Sequence, residues 1–240
     1  MTAESTTSLL FPDSLNDTLD AVNAALFENI PLPEPAKVEV AGWLVSRQGL
    51  PGSYAGMFAP TGADYAVGAL TFTGEPVESR AGVGHMLGEE ACYVLNRLGV
   101  DTLEAREALK HARGGIFYRM NQSEREGILS GTYCCGTCTV ALWRHLLANG
   151  AADDQRRLSH GLDALRRHRD GKGRWRRFPY YYTLLALSEM DLALVREEIQ
   201  YAARGVEHTL RRLIKQEGSQ ELGKFDWRRQ VLLQRVLERC

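Results

Sequence analysis

Apolar residues recur along this chain three or four positions apart, the spacing of one face of an α-helix. Leu15, Leu19, Val22 and Leu26 form such a stripe within Pro12 to Glu28, with Asp13 or Ser14 available as cap, and predict a first helix. Pro31, Pro33 and Pro35 end it, because proline has no amide proton to give and its ring clashes with the preceding turn. Ala105, Leu109, Ala112 and Ile116 line a second face, Leu158, Leu162 and Leu165 a third, and Val195, Ile199, Ala202, Val206 and Leu210 a fourth. Asp101 and Glu104 are spaced as a capping box, while Asp154 and Asp191 precede the next two helices. Between these amphipathic elements lie segments apolar on most faces, Cys138 to Leu147 and Tyr180 to Met190, which is the pattern of buried helices. Strand signals are too few and too short to build a sheet, so the expected fold class is all-α.

The junctions carry a recurring tripeptide: Gly52-Ser53-Tyr54, Gly131-Thr132-Tyr133, Gly173-Arg174-Trp175 and, more weakly, Gly223-Lys224-Phe225. Each glycine would turn the chain after an outer, amphipathic helix, and each ring would wedge between neighbouring hairpins. The first gap is near twice the second, and repeats of this length indicate stacked helical hairpins. Ala55 to Arg80 fits this scheme poorly, holding Pro60, Gly62, Gly68, Gly74 and Pro76 with a short helix around Asp64 to Phe72. We read it as a covering loop, with Glu90 to Gly99 closing an inner helix. The chain then divides into an N-terminal segment, residues 1–36, with one helix and a Pro-rich linker, and one hairpin-repeat domain, residues 37–240.

Composition narrows the function. A net charge of −1 argues against a dedicated nucleic-acid-binding protein. No apolar run approaches the roughly 20 residues that span a bilayer. The Ser/Thr-rich start, Met1 to Leu10, lacks the basic and apolar regions of a secretory signal, and a cytoplasmic protein is expected. Five cysteines, an odd number with three clustered, do not form the pattern of a secreted disulfide framework.

Two constellations carry candidate chemistry. In Tyr133-Cys134-Cys135-Gly136-Thr137-Cys138, Cys135 and Cys138 form a C-x-x-C at a predicted helix N-terminus, where backbone amides favour a thiolate. The pair is open to three readings: buried thiols in a helix contact, ligands of a metal such as zinc, or a redox or nucleophilic site. Zinc would need further ligands, for which His85, Cys92 and His145 are candidates. The second constellation is basic: Arg166, Arg167, Arg169, Lys172, Arg174, Arg176 and Arg177 lead into Phe178, Tyr180, Tyr181 and Tyr182. Here Arg174, Arg176 and Arg177 could hold a diphosphate while Tyr180 and Tyr181 line an apolar pocket, or the whole could be a solvated loop beside a packed aromatic core.

The stretch Gly161 to Trp175 resembles the QW repeat of squalene and hopene cyclases, with His168 where that motif has glutamine. Trp43-Leu-Val-Ser-Arg-Gln48 followed by Gly52-Ser53-Tyr54 is similar, with the glutamine in place and tyrosine for tryptophan. The resemblance, over residues 37–235, is to the terpenoid-cyclase and protein-prenyltransferase superfamily. It implies α/α hairpins forming a partial or small toroid whose inner helices wall an apolar cavity. The family's catalytic patterns are not met. The Asp-x-Asp-Asp acid motif is reduced to Asp153-Asp154, better read as helix caps. Cys138 could match the prenyltransferase zinc cysteine, but Gly136 stands where the aspartate belongs, and Phe178 to Tyr182 holds no histidine. Lanthipeptide-type cyclases are another zinc-bearing toroid; Tyr133-Cys134-Cys135-Gly136 is similar to one of their motifs, but their Cys-His-Gly is missing. The expected function is therefore binding of, or chemistry on, a hydrophobic small molecule such as an isoprenoid diphosphate. The alternative is a non-catalytic helical scaffold with a protein or peptide partner.

Overall fold

Each apolar stripe of the sequence lies on a helix in the computed structural model, which describes residues 8–217 and 222–240. The described residues form ten α-helices and no strand, as the all-α expectation requires. They are α1 (Leu15–Glu28), α2 (Glu34–Ser46), α3 (Gly62–Val67), α4 (Arg80–Leu98), α5 (Leu103–Arg125), α6 (Gly136–Asn149), α7 (Ala152–Arg166), α8 (Tyr180–Glu189), α9 (Leu192–Glu217) and α10 (Lys224–Leu237). No helix among the described residues is long and apolar enough to cross a membrane. Residues 1–7 of the Ser/Thr-rich start lie outside the described residues.

The chain separates into two compact units, Met1–Ala69 with Ser79–Arg119, and Leu70–Glu78 with Met120–Cys240. Helix α5 supplies residues to both. The boundary expected after residue 36 falls in the first turn of α2, which begins at Glu34 and accommodates Pro35 because no amide donor is required there.

In the first unit α4 is the inner helix, buried on nearly every face, and α1, α2 and α3 pack on it. Helix α1 begins at Leu15 with Ser14 as its cap, and Leu15, Leu19 and Val22 are buried while Leu26 is half-buried. The segment following Tyr54 is a loop carrying only the six-residue α3, as the covering-loop reading has it. Its anchor is Asp64, a buried carboxylate that accepts hydrogen bonds from Leu15 N (3.0 Å), Asn16 N (3.1 Å) and Thr61 N (2.7 Å). One side chain therefore caps two helices.

In the second unit α6, α8 and α10 form an inner row, α6 against α8 and α8 against α10. Helices α7 and α9 form the outer row, with Leu158, Leu162, Leu165, Val195, Ile199, Ala202 and Val206 buried. Capping differs from expectation at α5, where Thr102 Oγ1 accepts from Ala105 N (3.2 Å) and Asp101 pairs with Arg106 instead. Asp154 does cap α7, reaching back to Ala151 N (3.2 Å), and Asp191 caps α9 through Ala193 N (2.7 Å).

Three of the four tripeptides are turns. Gly52, Gly131 and Gly173 have φ of 94°, 76° and 83°, the left-handed region that excludes most side chains. Gly223 does not share this role, because its φ is −66° and it starts α10. The rings of Tyr133 and Trp175 are buried, that of Tyr54 half-buried. In the first turn Gln48 donates to Gly56 O (2.8 Å), whereas His168 in the third bonds back to Ala164 O (2.9 Å).

Candidate thiol site

Helix α6 starts at a tight turn after Gly131, and that turn brings three sulfurs together. Cys135 is the N-cap residue, in extended conformation, and Cys138 lies one turn into the helix. Cys134 takes the left-handed conformation at φ 55°, rare for a residue with a Cβ and found where the surroundings enforce it. The Sγ atoms of Cys135 and Cys138 are 3.4 Å apart, and those of Cys134 and Cys138 lie within 4.8 Å. Cys134 and Cys135 are exposed; Cys138 is fully buried.

The electrostatics of the three thiols diverge. Hydrogen bonds from the Cys134 and Cys138 thiols, outweighing partial desolvation and joined by the backbone amides of Cys138 and Thr137, hold the Cys135 thiol far below its ordinary range. Cys138 moves the opposite way, raised by its hydrogen bonds to Cys134 and Cys135 and then by burial. Cys134 is also raised, first through its bond to Cys135. The cluster therefore ionises at Cys135, one of its two exposed members, with the buried protonated thiol of Cys138 beside it.

Gly136 explains the shape of this turn. A Cβ there would collide with the Arg177 carbonyl and come within 2.9 Å of Phe178 Cα. The α7–α8 loop thus crosses the cysteine turn backbone to backbone. It is fixed in place by Phe178, whose ring stacks on Trp143 of α6 at 5.7 Å and meets His168 edge-on at 5.4 Å. The two constellations, separate in the sequence, are adjacent in the fold. The aspartate that a prenyltransferase zinc site requires has no room at position 136.

Zinc in a closed structural site takes four ligands, and the second unit brings three sulfurs to this turn. His145 is buried seven residues beyond Cys138 on the same helix, roughly 10 Å along its axis, too far to share an ion with it. His85 and Cys92 belong to the first unit.

The basic loop is only partly free to meet a ligand. Arg169 and Arg166 pair with Glu198 at 2.6 and 3.4 Å, and Arg166 also pairs with Glu197 at 3.1 Å. The Trp175 indole donates to the same Glu198 carboxylate at 2.8 Å. Arg174 is exposed and lies over the buried Tyr180 ring at 4.2 Å, whose hydroxyl is pushed up to about 12, mainly by burial. Arg176 and Arg177 are exposed, Arg176 donating to Arg169 O at 3.3 Å. Tyr181 is half-buried beneath Arg229, 4.7 Å from ring centroid to guanidinium.

The N-terminus of α8, where an anionic head group would settle, already holds a carboxylate. Glu75 accepts from Tyr181 N at 2.7 Å and Tyr182 N at 3.1 Å. Its segment, Leu70–Glu78, is further held by Arg228 on Phe72 O (3.1 Å) and Arg229 on Thr73 O (2.9 Å). Nothing in the local pattern of that Gly- and Pro-containing loop marked Glu75 as a cap. Glu198 did leave a signal, standing three residues after Val195 on an otherwise apolar stripe.

Comparison with known proteins gave no matching family model, no matching curated protein and no matching solved structure.

Proposed function

We propose that the protein is a dithiol–disulfide exchange protein acting through Cys135 and Cys138. The observation that carries this reading is the asymmetric pair at the start of α6, an accessible N-cap thiol 3.4 Å from a buried one. Exchange needs an attacking thiolate and a second thiol that resolves the mixed disulfide. Cys135 supplies the first through its lowered pKa and exposure. Cys138 supplies the second, its Sγ lying 3.4 Å from that of Cys135 against a bonded distance of about 2.05 Å. Redox use needs two sulfurs, which this turn provides.

The sign of the Cys135 shift sets a test. A thiol ionised well below neutrality reacts at a rate that is flat with pH, whereas an ordinary thiol gains about tenfold per unit below its pKa of about 8.5. Alkylation of Cys135 by iodoacetamide, followed by peptide mass, should change less than about twofold between about pH 6 and pH 8. A tenfold rise per unit would end the reading. So would stoichiometric metal in protein purified without added metal, lost in Cys138→Ser, because the thiolates would then serve a structural ion.

The inner row α6, α8 and α10 and the buried Trp175 after a QW-like turn favour a second reading, in which the second unit binds a hydrophobic small molecule such as an isoprenoid. If an isoprenoid diphosphate is bound through the basic loop, replacing Arg174, Arg176 and Arg177 by glutamine should weaken it about tenfold or more while hardly affecting the matching alcohol. Equal affinity of the unaltered protein for diphosphate and alcohol would count against that.

A further inference from the structure

The basic α7–α8 loop crosses the thiol turn proposed above at Gly136. Of the cations at the end of α7 and in the α7–α8 loop, Arg166 and Arg169 pair with Glu197 and Glu198, while Arg167 and Lys172 are exposed and precede Gly173 in the sequence. Asp170, the loop's acid, is used locally, accepting from Lys172 N (2.7 Å), Arg174 N (3.1 Å) and the Tyr201 hydroxyl (2.9 Å). Arg174, Arg176 and Arg177 remain exposed, and none of the three forms an ion pair among the described residues. This surplus is held rigidly. Arg169 and Trp175 form an antiparallel bridge, Trp175 is buried, and Arg177 is locked at φ 67° with its carbonyl over Gly136, the residue after Cys135. A non-glycine residue in that conformation, pressed on the cysteine turn, fixes the loop backbone against that turn.

Resting on the exchange reading, we infer that the substrate of this site is an anionic disulfide, one bearing carboxylates, recruited to Cys135 by Arg174, Arg176 and Arg177. Guanidinium groups bind carboxylates with paired, charge-assisted hydrogen bonds and raise the local concentration of anions. A neutral disulfide gains nothing from them and a cationic one is repelled. The reaction balances without another reagent. The Cys135 thiolate attacks one sulfur of the disulfide, forming the mixed disulfide and expelling a substrate thiolate. Cys138 then attacks Cys135 Sγ, the internal disulfide forms, and the second substrate thiolate leaves. Two electrons pass from the protein dithiol to the substrate. The proton from Cys138 and one from water complete the two substrate thiols, the hydroxide being neutralised by buffer.

The test uses the full, reduced chain with two oxidants at equal concentration: oxidised glutathione, which is anionic, and cystamine, which is cationic. Each rate is divided by the same oxidant's rate with a small free thiol, and formation of the Cys135–Cys138 disulfide is read by peptide mass. Oxidised glutathione should be favoured about tenfold at low salt, and that preference should largely vanish at about 0.5 M salt, where charges are screened. In the double variant R176Q/R177Q, which leaves Arg174, the ratio should fall by at least about half, and R176K/R177K, which keeps the charge, should retain most of it. A ratio near one in the unaltered protein, or one that neither salt nor R176Q/R177Q changes, overturns the anionic substrate and leaves dithiol exchange standing. No internal disulfide with either oxidant overturns both.

Discussion

Trp175→Ala is expected to destabilise the second unit by about 3–5 kcal/mol, the range for truncating a buried aromatic side chain. The ring is 3% exposed and lies between the α7–α8 loop and α9, with Tyr201 at 6.0 Å and Tyr180 at 6.5 Å between ring centroids. Its indole proton is also one of the groups satisfying Glu198, a carboxylate only 1% exposed. Truncation therefore opens a cavity and removes a charge-assisted hydrogen bond from a buried anion, although Arg169 and Arg166 still hold it. Trp175→Phe separates the two losses: it keeps much of the volume and should cost about 1–3 kcal/mol, the part due to the hydrogen bond. Urea unfolding followed by circular dichroism and by a probe in the second unit gives both values. An alanine variant as stable as the parent would remove the wedge from the repeat.

The wedge and its glycine were legible because they are local. An aromatic two residues after a turn glycine, between an amphipathic and an apolar helix, reads the same in sequence and structure at Tyr133 and Trp175. It failed at Gly223, where the same letters start a helix, since nothing in a tripeptide distinguishes a glycine that ends one element from a glycine that opens the next. Helix stripes were legible for the same reason. Asp101 was a poorer guide than Thr102 beside it, because both residue types cap and only the backbone start decides between them.

The site was half legible. A C-x-x-C before an apolar helix announces thiols at a helix N-terminus, but its asymmetry depends on Cys134, whose left-handed backbone no pattern predicts. Charges were misleading in isolation. Arg166 and Arg169 look like ligand-binding groups until Glu198 comes from α9 to meet them, and the α8 N-terminus looks vacant until Glu75 arrives from more than a hundred residues away. Such partners are set by packing of distant segments, which local periodicity does not encode. The close approach of Arg177 to Gly136 belongs to the same class, and it joins the two constellations into one site.

Gly131→Ala should be comparably damaging, about 2–5 kcal/mol, because two independent penalties fall on one methyl group. Gly131 sits at φ 76°, where an L-residue costs about 1–2 kcal/mol relative to glycine. The methyl would also strike the backbone of α7, meeting the Arg157 carbonyl and lying 2.6 Å from Gly161 N. Backbone cannot swing aside as a side-chain tip can, so overpacking adds about 1–3 kcal/mol. Relief would pull Gly131 O away from the Trp143 indole that donates to it at 2.8 Å, at a fully buried position in α6. Because Gly131 leads directly into Cys134 and Cys135, the same displacement should disturb the thiols. The variant is expected to show a lower urea midpoint together with Cys135 alkylation that regains an ordinary rise with pH. Thr132→Ala is the control, since its hydroxyl donates an exposed hydrogen bond to Leu129 O at 2.8 Å and its loss should stay within about 1 kcal/mol. Normal stability and flat alkylation in Gly131→Ala would mean that the turn does not press on α7, and that the geometry of the cysteine cluster is not held from behind by this contact.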